Sequence, residues 1–74
     1  MRVVVNGGVQ ELADDTTVGD VVAQVRPVPP EADERAQAGI AVALNGEVVT
    51  RRHWWTTRLS PGDRVEVLAP IQGG

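Results

Sequence analysis

The chain ends in a strand-like run that leads into two glycines, Val65-Glu66-Val67-Leu68-Ala69-Pro70-Ile71-Gln72-Gly73-Gly74. From Val65 onward, residues predicted to face the core alternate with residues predicted to face away from it, which is the period of a β-strand. The glycine pair lacks Cβ atoms, so it can enter a gap too narrow for side chains. This pattern predicts that the last strand delivers the Gly74 carboxylate to a defined place. A frayed chain end is the alternative, because the ends of domains are commonly poorly ordered.

Any chemistry of this chain is expected at that carboxylate. It is ionised at neutral pH and is then a poor electrophile. Conversion to a mixed anhydride with a nucleotide phosphate would make it reactive, and that step needs a separate enzyme that uses ATP. The sequence shows no nucleophile–base pair, and no GxGxxG helix start follows Gly7-Gly8. We therefore expect a protein that is not itself an enzyme and binds no cofactor and no metal.

Composition predicts one small domain with an acidic balance. A chain of 74 residues buries only about 60% of its unfolded surface, so we expect a single domain over residues 1–74, with residues 72–74 as a flexible tail. The absence of cysteine excludes disulfides and thiolate metal sites. The net charge of −3 argues against nucleic acid as a partner. Without a membrane-length apolar run or a signal peptide, we expect a cytoplasmic protein that is monomeric when free.

Strand and turn signals predict two hairpins, a helix and a final strand. Asn-Gly is the strongest short hairpin signal, and it occurs at residues 6–7 and again at residues 45–46. A further turn is predicted at residues 60–63, where Pro61 has the fixed φ that turns favour. The predicted strands are residues 2–5, 9–12, 40–44, 47–49 and 64–69.

A single helix is predicted between the hairpins. Thr17 and Asp20 form a capping pair, and four valines follow at helical spacing: Val18, Val21, Val22 and Val25. Valine disfavours a helix by up to about 0.5 kcal/mol, whereas burial returns about 1.5–2 kcal/mol each, so the helix is expected only when docked on a sheet. This is the ββαβ(β)β order of the β-grasp, or ubiquitin-like, fold of the α+β class, with a four- to five-stranded mixed sheet. One helix leaves one sheet face open or bound to a partner.

Two segments lie outside this pattern. Residues 26–39 predict a surface loop, whose acidic cluster could also dock a partner. In the crossover at residues 51–59, His53 is expected on the surface. Neighbours in an extended segment point to opposite sides, so we expect Trp55 to cover the edge of the core and Trp54 to be more exposed, with an interface role for Trp54 as one option. A basic patch is formed by Arg51, Arg52 and Arg58. A binding site for an acidic partner and a solvated surface explain this patch equally well.

Six segments of the chain stand in a specific order and spacing: residues 3–7, 17–18, 42–49, 55–59, 62–67 and 71–74. Together they resemble the ThiS family, the sulfur carriers of thiamine biosynthesis. The MoaD family of molybdopterin sulfur carriers is similar in fold and in its Gly-Gly end, but the Asn-Gly-Glu-Val-Val run and the Gln before Gly-Gly are closer to ThiS. This chain has Thr50-Arg51 where the ThiS family often has Pro-Arg, and a longer loop at residues 26–39.

The resemblance implies a mechanism in which other enzymes act on the tail. An E1-like adenylyltransferase of the ThiF type would use ATP to adenylate the Gly74 carboxylate. Sulfur from a cysteine desulfurase would convert it to a thiocarboxylate, which a ThiG-like thiazole synthase consumes. Gly73 would let the tail thread into both active sites. The alternatives are a MoaD-like or natural-product sulfur carrier, and a β-grasp interaction module without tail chemistry.

These enzymes need a surface to which they can bind, and the predicted binding surface is the sheet face opposite the helix. Val65 and Val67 are expected to face the core with Val3 and Val5, which turns Leu68 and Val4 outward. Since the first and last strands are neighbours in the β-grasp order, we expect an apolar patch of Leu68 and Val4 beside the tail; scattered surface hydrophobic residues are the alternative. The predicted partner-binding residues are Leu68, Val4, Pro70, Ile71 and Gln72.

Overall fold

A five-stranded mixed sheet with one helix across it forms the frame of the molecule. The structure is a computed structural model that describes residues 1–27 and 39–69. The sheet order is β2-β1-β5-β3-β4, in which β5 is the middle strand, parallel to β1 and antiparallel to β3. This is the predicted β-grasp arrangement, and each strand bound lies within one residue of its prediction. The elements are β1 (Arg2–Val5), β2 (Gly8–Glu11), α1 (Val18–Val25), β3 (Ala41–Leu44), β4 (Glu47–Val48) and β5 (Arg64–Leu68).

Both Asn-Gly pairs form the predicted hairpin turns. Asn6 and Asn45 have φ angles of 50° and 51°, and the glycines that follow them have φ angles of 83° and 86°. Positive φ at both central residues is the type I′ geometry, whose twist matches that of the flanking strands. Each turn therefore sets the register of its own hairpin, β1 with β2 and β3 with β4.

Helix α1 begins with the predicted capping box. The Asp20 N–H donates to Thr17 Oγ1 at 3.2 Å, and the Thr17 N–H donates to Asp20 Oδ2 at 2.9 Å. Val18, Val21 and Val22 are buried as predicted. Val25 is exposed, so the apolar stripe contributes to the core for only a little more than one turn.

The core lies between α1 and the sheet and consists mainly of valines. Val3 and Val5 of β1 and Val65 and Val67 of β5 point into it, which confirms the predicted inward faces of both strands. Its largest side chain is the indole of Trp54. The buried apolar residues are Val3, Val5, Val18, Val21, Val22, Val42, Trp54, Leu59, Val65 and Val67.

The prediction for the tryptophan pair was wrong. Trp54 is 1% exposed, whereas Trp55 is 53% exposed. The segment is not extended: a 3₁₀ turn spans Arg51–His53 and continues into further turns, so the alternation of a strand does not apply. The Trp54 indole N–H donates to the Val49 carbonyl oxygen at 2.9 Å, which satisfies its polar atom inside the core. An interface role for Trp54 is excluded by this burial.

The crossover also closes the N-terminal end of α1. The first N–H groups of a helix have no intrahelical partners. Here the Val18 N–H donates to the Thr57 carbonyl at 2.9 Å, and the Gly19 N–H donates to the Trp54 carbonyl at 2.8 Å. The Trp55 ring packs directly against Gly19, where a Cβ atom would lie 2.5 Å from Cε3 of the indole. Helix and crossover therefore form one packed unit.

Parts of two predictions lie outside the described residues. These are residues 28–38, which make up most of the predicted loop, and residues 70–74, which include the predicted tail. Within residues 1–27 and 39–69, no helix combines the length and the apolar character needed to cross a membrane.

Candidate functional site

The candidate site begins at the C-terminal end of β5, the strand that leads to residues 70–74. Its residues alternate between the two sides of the sheet: Val65 and Val67 are buried, whereas Glu66 and Leu68 are exposed. Leu68, at 68% exposure, lies on the face opposite the helix, as predicted. β5 therefore leads to the tail with one of its faces buried in the core and the opposite face exposed to solvent.

On the β1 side, the end of β5 is held by a side chain. Pairing of the two strands stops at Val5 and Val65, because β1 then turns at Asn6. The Asn6 N–H still donates to the Val65 carbonyl at 2.9 Å. Its side chain then takes the place of the missing strand: the Val67 N–H donates to Asn6 Oδ1 at 2.8 Å, and Asn6 Nδ2 donates to the Val67 carbonyl at 3.3 Å.

On the β3 side, the beginning of β5 is held in the same way. The Arg64 N–H donates to Asn45 Oδ1 at 2.9 Å, and the Asn45 N–H donates to the Arg64 carbonyl at 2.8 Å. Asn45 Nδ2 also donates to the Asp63 carboxylate at 3.0 Å. Both hairpin turns thus contact β5, one at each of its ends.

The predicted patch of Leu68 and Val4 requires a correction. The two residues share the open face, but Val4 pairs with Arg64 in β5, whereas Leu68 pairs with Ala41 in β3. Four residues of β5 separate the two positions, a distance of about 13 Å at about 3.3 Å per residue. Glu66 lies between them on the same face. They do not form one patch.

The apolar neighbours of Leu68 lie on the other side of β5. Ala41 is directly opposite Leu68, Ala43 is opposite Glu66, and Val48 of β4 is opposite Ala43. These four residues, Leu68, Ala41, Ala43 and Val48, form what we call the open-face patch. Val48 is 78% exposed, so the patch presents two large side chains to solvent. Sequence reasoning missed it because alanines give no strong signal and the pairing of β3 with β5 spans distant parts of the chain.

The polar residues of the crossover give no sign of a catalytic or metal centre. His53 is exposed, as expected, and its Nδ1 lies 3.0 Å from Thr50 Oγ1. Arg51, Arg52 and Arg58 are exposed as well, in a stretch from 48 to 62 that contains no acidic residue. Among the described residues, no group of three or more His, Cys, Asp or Glu side chains could hold a metal ion.

The predicted tail residues themselves are not among those that the structure describes. Gly74 and Gly73, together with Pro70, Ile71 and Gln72, fall in residues 70–74. Their roles in activation, threading and partner binding therefore remain predictions. The structure describes β5, which leads to these residues, and the side chains of Asn6 and Asn45 that hold it.

Comparisons with known proteins agree with this architecture. The crystal structure of the thiamine biosynthesis protein ThiS from Geobacter metallireducens is similar over 100% of both chains, with a TM-score of 0.69 and 29% sequence identity. A solution structure of a thiamine biosynthesis protein from the same organism has a TM-score of 0.72 at 29% identity, over 100% of this chain and 88% of that one. The search of curated proteins finds no match. The model of the ThiS family matches residues 3–74, and the chain therefore belongs to the ThiS family.

Proposed function

We propose that this protein is a sulfur carrier of thiamine biosynthesis whose Gly74 carboxylate is adenylated and then converted to a thiocarboxylate. The observation that carries the proposal is the family match, which runs through the whole of β5 to Gly74. The similar structures of thiamine biosynthesis proteins support the same pathway. In this proposal the chain is a protein co-substrate, and the catalytic groups belong to its partners.

The chemistry begins with activation of the carboxylate. A carboxylate oxygen of Gly74 attacks the α-phosphorus of ATP, pyrophosphate leaves, and an acyl-adenylate forms on a ThiF-like adenylyltransferase. The terminal sulfur of a persulfide, supplied by a cysteine desulfurase, then attacks the acyl carbon and AMP leaves. A thiol then attacks the outer sulfur of the resulting acyl disulfide and breaks the S–S bond, so that a new disulfide forms on the donor side and the thiocarboxylate remains on Gly74. A ThiG-like thiazole synthase takes the sulfur from it.

The fold suits this role because a rigid folded domain is followed by two terminal residues that have no side chains. Gly73 and Gly74 have no Cβ atoms and fit a narrow active-site channel. The frame remains outside that channel and offers the open-face patch to the partner. Leu68 and Val48 supply the exposed apolar area there, and exposed apolar patches are typical of protein interaction sites.

Deletion of Gly74 tests the tail chemistry. The shortened chain should unfold at the same urea concentration as the full chain, because the core formed by the described residues extends only from Val3 to Val67. It should release no pyrophosphate with the adenylyltransferase and ATP, whereas the full chain should do so. Intact mass spectrometry should show replacement of one oxygen by sulfur only in the full chain. A deletion variant that is adenylated and sulfurated normally would refute the assignment to Gly74.

Charge substitution tests the surface that the partners grip. Leu68→Glu should fold normally, because the side chain is already exposed, and should bind the adenylyltransferase at least tenfold more weakly by calorimetry. Val9→Glu is the matched control: Val9 is 65% exposed and shares the open face through its pairing with Val4, but it lies on the β2 side. Equal affinities for the two variants and the wild type would remove the open-face patch from the interface.

A further inference from the structure

The two Asn-Gly turns do more than reverse their own hairpins. Each turn contacts the middle strand β5 from a different side, Asn45 at Arg64 and Asn6 at Val67. The second of these contacts joins residues 61 positions apart in the chain. It also lies next to the point where the chain continues toward the tail.

The carboxamide of Asn6 is not needed for the turn alone. A type I′ turn requires positive φ at both central positions, and glycine meets this requirement as readily as asparagine. The side chain instead provides both an acceptor and a donor to the backbone of Val67, at 2.8 and 3.3 Å. Both contacts are partly buried, where an unpaired backbone group is unfavourable. Asn6 thus extends the pairing of β5 past the end of β1.

We propose that Asn6 is a positioning residue for the chemistry at Gly74. Its carboxamide holds β5 at Val67 on the β1 side, while β3 pairs with β5 through Leu68 on the other side, and the two supports together set where the chain leaves the sheet. Residues 68–74 can span at most about 23–25 Å, so the position of β5 at Val67 limits the region that the Gly74 carboxylate can reach. The part of this inference that concerns Gly74 rests on the proposed function; the holding of β5 does not.

Glycine variants at the two turns form a matched pair for the test. Asn6→Gly and Asn45→Gly each keep positive φ available and remove two carboxamide hydrogen bonds. Asn6→Gly loses both bonds to Val67 of β5, and Asn45→Gly loses one bond to Arg64 of β5 and one to Asp63. Both should lower the urea midpoint by a similar amount. Hydrogen exchange should separate them: the Val67 amide exchanges faster only in Asn6→Gly, and the Arg64 amide only in Asn45→Gly.

The kinetic readout is pyrophosphate release by the adenylyltransferase with ATP. Asn6→Gly should lower kcat about tenfold, since each residue that must be ordered within the bound complex before the reaction corresponds to a factor of roughly 5–30. KM should stay within about twofold, because the open-face patch is unchanged. Asn45→Gly should leave both constants within about twofold of the wild type. If kcat fell only because the variants are less stably folded, it would fall by the same factor in both variants.

A second variant covers the case in which Asn6→Gly does not fold. Asn6→Asp keeps the turn preference and the oxygen that accepts from the Val67 N–H, but it replaces the Nδ2 donor with an oxygen that faces the Val67 carbonyl. Its kcat should therefore lie between those of the wild type and the glycine variant. Equal kcat losses in Asn6→Gly and Asn45→Gly, or unchanged exchange at Val67 in Asn6→Gly, would overturn the role of Asn6. An Asn6→Asp protein that loses tenfold or more in kcat while Val67 remains protected would also overturn it. A wild-type chain that is not adenylated at all would overturn the proposed function and this inference together.

Discussion

Replacing Gly19 by alanine should destabilise the protein, although helix propensity predicts the opposite. Gly19 is the second residue of α1, and alanine is preferred to glycine within a helix by about 0.8–1.0 kcal/mol. If the helix were the only consideration, Gly19→Ala would raise the free energy of unfolding by up to about 1 kcal/mol. The contact with Trp55 reverses this expectation.

The added methyl group would collide with the indole. Its carbon would lie 2.5 Å from Cε3 and 2.7 Å from Cε2 of Trp55, whereas carbon atoms in contact are about 3.5–4.0 Å apart. The ring must therefore move by roughly 1 Å or more. Overpacking of this kind typically costs about 1–3 kcal/mol. Subtracting the gain in propensity leaves a net destabilisation of up to about 2 kcal/mol.

A double-mutant cycle isolates the contact. The free energy of unfolding is measured in urea, by far-UV circular dichroism, for the wild type, Gly19→Ala, Trp55→Ala and the double variant. Without the indole, the same glycine-to-alanine change should stabilise by about 0.5–1 kcal/mol, so its sign should reverse between the two backgrounds. The coupling energy should then equal the overpacking cost of about 1–3 kcal/mol, which lies within the range for residues in contact. A stabilising Gly19→Ala in both backgrounds would refute the packing of Trp55 on this helix turn.

Two further predictions concern the supports of the core. Thr17→Ala removes the Oγ1 that accepts from the Asp20 N–H, one half of the capping box, and should lower the free energy of unfolding by about 1 kcal/mol, measured in urea against Thr16→Ala, which leaves that box intact. Trp54→Ala removes the largest buried side chain and should cost about 3–5 kcal/mol, a large part of the stability of so small a domain, with Trp55→Ala as the milder control; equal losses for the two variants would contradict their opposite burial. In single-tryptophan variants with phenylalanine at the other position, the emission of Trp54 should lie to the blue of that of Trp55.

The strands, turns and helix start could be predicted from the sequence because their signals are local. Asn6-Gly7 and Asn45-Gly46 give the turn type directly, and the box formed by Thr17 spans only three residues. The alternation of β5 likewise fixes which of its side chains enter the core. None of these conclusions depends on knowing what lies beside the element.

The errors arose where a distant partner decides the outcome. Trp55 is exposed because a turn places its indole against Gly19 of α1. No periodicity within residues 51–59 predicts that contact. The apolar neighbours of Leu68 depend on the pairing of β3 with β5, which the sequence of either strand leaves open. The contact between the Asn6 side chain and Val67 was missed for a related reason. The preference of asparagine for the turn already explained why it stands at position 6, so the sequence carried no separate indication of a partner 61 positions away.

The central position of β5 has a consequence for synthesis on the ribosome. Translation produces β5 after the other four strands, yet β5 is the strand that joins β1 to β3. A nascent chain that has reached only residue 63 holds two separate hairpins, and isolated hairpins are marginal in water. Folding of the sheet therefore waits for the strand that leads to the tail. We therefore expect a prematurely terminated chain that lacks β5 to stay unfolded and open to proteases, and such a chain would present no folded open-face patch.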